Sequence, residues 1–75
     1  MKPGDLVRGY HKIHNISLDS THPDVNDYVI TGYLRAGELG TIIEIVEYEE
    51  GNFVKIITPR GIAGWVPDNQ LVRVE

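Results

Sequence analysis

Three histidines, His11, His14 and His22, lie close in sequence to Asp19, Asp24 and Asp27, a donor set that could ligate a metal ion. The spacing argues against that use. His11 and His14 are three apart, which would put them on one face of a helix but on opposite faces of a strand. Their surroundings read as strand or loop, and no H-E-x-x-H or comparable ligand spacing occurs. A solvated polar loop accounts for these residues. Nucleophilic chemistry has no better footing: there is no cysteine, and neither Ser17 nor Ser20 sits in a G-x-S-x-G turn. Carboxylates bunch at Glu44, Glu47, Glu49 and Glu50, where solubility and protection of a sheet edge are sufficient explanations. Gly37-Glu38-Leu39-Gly40 has neither the spacing nor the following helix of a phosphate loop. No catalytic residue, metal or cofactor is expected, and the chain reads as a non-enzyme.

What remains is aromatic. Tyr10, Tyr28, Tyr33, Tyr48, Phe53 and the single tryptophan, Trp65, are the large rings of the chain. Tyrosine suits a half-wet surface, because its ring packs while its hydroxyl stays hydrated. Tyr10, Tyr28 and Tyr33 lie in or beside one long segment, so they fit either a shallow binding groove or ordinary packing of a long loop.

The elements that must position these rings are short. Seventy-five residues make one domain, which at this size buries only about 60% of the surface its unfolded chain exposes. Eight glycines and four prolines cut the sequence into β-branched runs, which favours strands over helices. The first strand is expected over 5–8. Thr41–Tyr48 and Phe53–Thr58 flank the polar turn 49–52 and should form an antiparallel hairpin. A tight turn at Pro59-Arg60-Gly61 leads to a strand over 62–66. Pro67–Gln70 then suits a single 3₁₀ turn before a closing strand over 71–74. Alternation points Val7, Ile43, Ile45, Val54, Ile56, Val66 and Leu71 inward. Between Arg8 and Glu38 runs a long excursion whose two arms should partly pair, with its tip near residues 17–25. Five strands are too few for a sandwich, and closure would remove exposed edges, so the expected class is an all-β barrel.

Charge and hydropathy narrow the partners. The formal net charge is −4, from 11 acidic and 7 basic residues. The basic residues Lys2, Arg8, Lys12, Arg35, Lys55, Arg60 and Arg73 are scattered, which argues against a general nucleic-acid binder. No apolar run approaches the length of a membrane span and no signal-peptide pattern opens the chain, so a cytoplasmic protein that does not enter membranes is expected.

One stretch is specific. Gly61-Ile62-Ala63-Gly64-Trp65-Val66-Pro67-Asp68-Asn69-Gln70-Leu71 resembles the SH3 signature G-x-x-G-[aromatic/apolar]-[apolar]-P-x-N-Y-[V/L], without a gap. Gly4-Asp5-Leu6-Val7 and Gly37-Glu38-Leu39-Gly40-Thr41-Ile42-Ile43-Glu44-Ile45 resemble the corresponding runs of small bacterial and phage SH3-like proteins. The second run is also similar to a KOW element and to electron-transport accessory subunits of the ferredoxin–thioredoxin reductase variable-chain type. These resemblances imply a five-stranded SH3-like barrel of bacterial or phage origin, and they support a fold better than a function. They also imply an incomplete peptide groove: Pro67 and Tyr10 match its components, but Gln70 replaces the final tyrosine and Asn52-Phe53 stands where a tryptophan is usual.

The signature places Trp65 beside inward Val66, hence on the opposite face, where it covers the barrel's open end or the base of the long loop, anchors a partner, or does both. The expected partner-binding set is Trp65, Pro67, Tyr10, Tyr28, Tyr33 and Gln70. The leading expectation is a non-catalytic interaction module that binds a protein or peptide through this aromatic surface. The alternative is an accessory subunit of a redox or a transcription/translation assembly. A nucleic-acid reading would place salt-sensitive contacts on Lys2, Arg8, Lys55 and Arg73. A monomer or weak homodimer is expected, with dimerisation by extension of the sheet through the second core strand, 41–48.

Overall fold

The computed structural model of the chain describes residues 1–10, 15–25 and 27–74. It is all-β, and no helix among the described residues is long and apolar enough to cross a membrane. The strands are β1 (Leu6–Gly9), β2 (Asn15–Asp19), β3 (Ile30–Arg35), β4 (Leu39–Tyr48), β5 (Gly51–Ile57), β6 (Ala63–Pro67) and β7 (Leu71–Arg73), with a 3₁₀ turn over Asp68–Gln70. All pair antiparallel in one seven-stranded sheet of order β3-β2-β6-β5-β4-β1-β7.

This corrects the expected five-stranded closed barrel: the sheet is a curled half-barrel with two ends, β3 and β7. The physical reason lies in the excursion. Its arms carry apolar side chains at alternate positions, Ile16 and Leu18 on β2 and Leu34 on β3, and all three are buried. With that much apolar surface to cover, the arms become full strands and line the core instead of folding over it as a loop. The arms pair as expected, but from Asn15↔Arg35 to Asp19↔Ile30, so the tip is residues 20–29, somewhat later than sequence placed it. The hairpin joins the main sheet where Asp19 pairs with Trp65. Here β2 and β6 come so close that a Cβ on Gly64 would lie 2.7 Å from the Leu18 Cβ and 3.0 Å from the Leu18 carbonyl carbon. Glycine is required at this crossing.

The β4–β5 hairpin turns through Glu49 and Glu50, and the β5–β6 turn closes by a Gly61 N–H to Thr58 C=O bond of 2.9 Å with Gly61 at φ +84°. The single core cluster takes a side chain from every strand: Val7, Ile16, Leu18, Leu34, Ile42, Val54, Ile56, Val66 and Leu71. One expected core position is wrong. Ile43 is 45% exposed, whereas Ile42 is 1% exposed. The register passes from Ile42↔Ile56 to Glu44↔Lys55, so Ile43 is the extra residue of a β-bulge. The bulge resets the alternation, which is how Ile42 and Ile45 can both turn toward the core. In the second core strand, β5 pairs with β4 from Thr41 to Tyr48, whereas β1 pairs with it only from Leu39 to Thr41.

The bulge sets a contrast between neighbours. Ile42→Ala should cost about 2–5 kcal/mol of stability, while Ile43→Ala should stay within about 1 kcal/mol, measured by urea unfolding. Gly64→Ala should destabilise by about 1–3 kcal/mol, because the atoms it meets include backbone that cannot step aside.

Candidate functional site: an aromatic cleft with an acidic rim

The two faces of the sheet differ in use. Directly opposed residues on neighbouring strands share a face, and Val54↔Val66 points into the core. The pairs on either side of it, Phe53↔Pro67 and Lys55↔Trp65, therefore project from the other face. Asp19 pairs with Trp65 in turn, and Glu44 with Lys55, which sets a polar–aromatic row across four strands.

The hairpin tip folds over this second face. His22 packs edge-on against Trp65, with ring centroids 4.9 Å apart at 67°. Trp65 is left only 5% exposed. The tip thus packs over Trp65, in keeping with its expected place at the base of the loop. The tip is tied down at several points. The Asp19 carboxylate accepts the N–H groups of Thr21 (2.9 Å) and Val29 (3.0 Å), and the Ser20 N–H donates to the Val29 carbonyl at 2.8 Å. The His22 Nδ1 accepts the Asp24 N–H at 3.1 Å. Farther out, the Tyr48 hydroxyl on β4 donates to the Asp24 carboxylate. That bond favours the phenol and pushes Tyr48 up to about 12.

Between the tip and the sheet lies a cleft. Its inner part has a volume of about 300 Å³, with Trp65, Pro67, Phe53, Pro23, Tyr28 and Asp19 among its walls and Ser17 and Gln70 at its ends. Its outer part, about 760 Å³, runs between the β4–β5 turn and the 3₁₀ turn past Tyr48, Glu49, Glu50, Asn52, Asp68 and Asn69. Pro23, Phe53 and Pro67 line both, so the two are one continuous groove. These volumes fall in the range of small-ligand and peptide sites. The groove contains Asp19, Glu49, Glu50 and Asp68, and among the described residues no lysine or arginine lines it.

The expected binding residues divide. Trp65, Pro67, Tyr28 and Gln70 meet in the groove, with Tyr28 still 68% exposed. Tyr10 lies outside its walls, tethered by its backbone N–H to the Gln70 carbonyl at 2.8 Å. Tyr33 is paired with Ser17 at the far edge of the sheet and is exposed beyond the groove. Phe53 and Pro23 were missing from the expected set. Phe53 was detectable, since the β5–β6 register that opposes it to Pro67 follows from the Pro59–Gly61 turn, whereas Pro23 arrives only through the fold of the tip. Among the described residues, no group of three or more His, Cys, Asp or Glu side chains is gathered as a metal site, and His11 and His14 lie outside those residues.

No family model, curated protein or solved structure matches the chain.

The Tyr48–Asp24 bond gives the tip a measurable signature. Its contribution to the folded state is complete below the ordinary tyrosine value of 10 and is lost as pH rises through about 12. Absorbance titration at alkaline pH should show a late tyrosinate step, and Asp24→Ala should bring that step back toward 10. An unchanged late step in the variant would place its cause elsewhere.

Proposed function

We propose that this chain is a non-catalytic interaction module whose groove takes an extended, positively charged segment of a protein partner. The observation that carries the reading is the groove itself. Its walls are rings and prolines (Trp65, Phe53, Tyr28, Tyr48, Pro23, Pro67), and among the described residues all of its charged lining residues are acidic. Aromatic walls fixed by packing bind apolar segments at low entropic cost, and a single-sign rim selects and steers the opposite charge. Of the groove components that the SH3 resemblance implies, Pro67 lines this groove, while Gln70 and Phe53 line it in place of the tyrosine and tryptophan usual there, so the reading rests on the groove and not on that resemblance.

The groove is built from the tip on one side and two tight turns on the other. A rigid sheet therefore holds recognition residues that sit largely on connections, the usual division of labour in binding domains. Nothing in this arrangement calls for bond-making chemistry. Its polar groups are carboxylates, amides and hydroxyls, and among the described residues no buried side-chain nitrogen or oxygen lacks a hydrogen-bond partner.

Trp65 reports on its own groove by fluorescence. Titration with a proline-containing peptide rich in Lys and Arg should shift its emission, and affinity should fall as salt rises. The same peptide with its charges reversed should bind at least about tenfold more weakly, a difference of about 1.4 kcal/mol. Glu49→Lys/Glu50→Lys should weaken the basic peptide by a similar factor while leaving the fold intact, since both side chains are exposed. Equal binding of the two peptides would sink the charge assignment. Binding of no isolated peptide, with capture only of a folded surface, would favour an accessory subunit instead.

A further inference from the structure

An open sheet ends in strands whose outward N–H and C=O groups can accept another strand. Here the end strands are β7, three residues long, and β3, six residues long. In an antiparallel ladder alternate residues turn both backbone groups toward the partner strand, and the residues between turn them away. Tyr33 and Arg35, two apart, belong to the outward set of β3, because their groups bond to atoms that are not on β2. The Arg35 N–H donates to Glu38 Oε1 at 3.2 Å, and the Arg35 carbonyl accepts the Glu38 N–H at 3.0 Å. The Tyr33 carbonyl accepts from Arg60 Nη2 at 2.6 Å.

Arg60 and Glu38 hold each other in place for this task. Arg60 Nε donates to Glu38 Oε2 at 2.8 Å and Arg60 Nη2 to Glu38 Oε1 at 2.9 Å, a two-pronged pair that fixes both side chains. The other half of β3 is protected differently. The register passes from Leu18↔Gly32 to Asp19↔Ile30, so Thr31 is a bulge residue that breaks the regular edge. Of the four outward groups at Tyr33 and Arg35, the Tyr33 N–H is the one left to a newcomer.

We infer that the Glu38–Arg60 pair is an edge guard, whose side chains occupy the Tyr33 carbonyl and the Arg35 N–H and so prevent a second copy of this chain from adding its own β3 there. A second copy is the fitting occupant because the edge is self-complementary. Two-fold antiparallel pairing centred on Tyr33 would set the two exposed tyrosines opposite each other. The outward groups exchanged would be those of the two Tyr33 residues, since Thr31 is bulged and the Arg35 carbonyl is held by Glu38, and no like charges meet at that pair. The guard is durable. Its hydrogen bond from Arg60 draws the Glu38 carboxyl down from 4.5 to about 2, so the contribution of the pair is complete above 4.5 and is lost only as pH falls through about 2.

The test is sedimentation velocity over a range of protein concentration, with far-ultraviolet circular dichroism to establish folding. The native chain should remain monomeric. Arg60→Ala should move toward twice the monomer mass as concentration rises. Adding Tyr33→Pro to that variant should restore the monomer, because proline removes the remaining outward N–H without breaking a ladder bond to β2. A folded Arg60→Ala that stays monomeric throughout would overturn the inference. So would a native chain that already dimerises through β3, or a Tyr33→Pro double variant that associates as readily as Arg60→Ala. If Arg60→Ala does not fold, Arg60→Met keeps the apolar stem and should dimerise in its place. Failure of both to fold would make the pair a folding element and end the guard interpretation.

Discussion

The close approach of Leu18 to Gly64 holds together two parts that would otherwise be separate. On one side is the β1-β4-β5-β6-β7 sheet, which is continuous in its hydrogen bonding. On the other is a β2–β3 hairpin, a unit that is marginal in water when alone. The crossing places Asp19 opposite Trp65 and brings Leu18 into the same core as Val66. Any side chain on residue 64 would push the hairpin outward. The curl of the sheet, the burial of the tryptophan and the cleft beneath the tip all follow from that one contact.

The junction also separates packing from recognition. One face of the sheet gathers aliphatic side chains from all seven strands into a single cluster. The opposite face, over β5 and β6, carries Phe53, Lys55, Trp65 and Pro67 and is only partly roofed by the hairpin tip. A small domain has little interior in which to carve a pocket. Here the groove lies between the sheet and a tip held by short polar bonds at Asp19, His22 and Asp24, so binding surface is obtained without opening the core. Residues that fix the tip, such as Asp19, also line the groove, which couples loop geometry directly to ligand geometry.

How far the fold was legible depended on how local its cause was. The β4–β5 and β5–β6 hairpins and the 3₁₀ turn were readable because turn residues with particular backbone demands sit at their ends: Glu49–Gly51, Pro59–Gly61 and Pro67. The inward positions Val7, Val54, Ile56, Val66 and Leu71 followed from alternation. Alternation failed at Ile43, since a bulge arises from how two strands match across space and leaves no mark in a single strand's pattern. The excursion was misjudged for a related reason. Ile16, Leu18 and Leu34 carry an apolar period too short to be distinguished from loop until a partner surface exists to cover them. In the candidate site, Trp65 and Pro67 were legible as strand neighbours in a recognisable run, but Pro23 came into the groove only through the path of the tip.

By itself, then, the sequence determined an all-β chain without cysteine, punctuated by glycine and proline, with most of its core and two of its hairpins encoded in short-range pattern. These features depend on backbone conformations and side-chain periods that each residue brings with it. Only the tertiary structure decided that there are seven strands in an open sheet, that Trp65 is roofed by His22, and that four carboxylates and six ring or proline side chains share one groove. Those outcomes rest on contacts between residues far apart in the chain, such as Asp19 with Trp65 and Arg60 with Glu38. Such contacts become favourable only after the intervening segments are in place, so no local pattern can announce them.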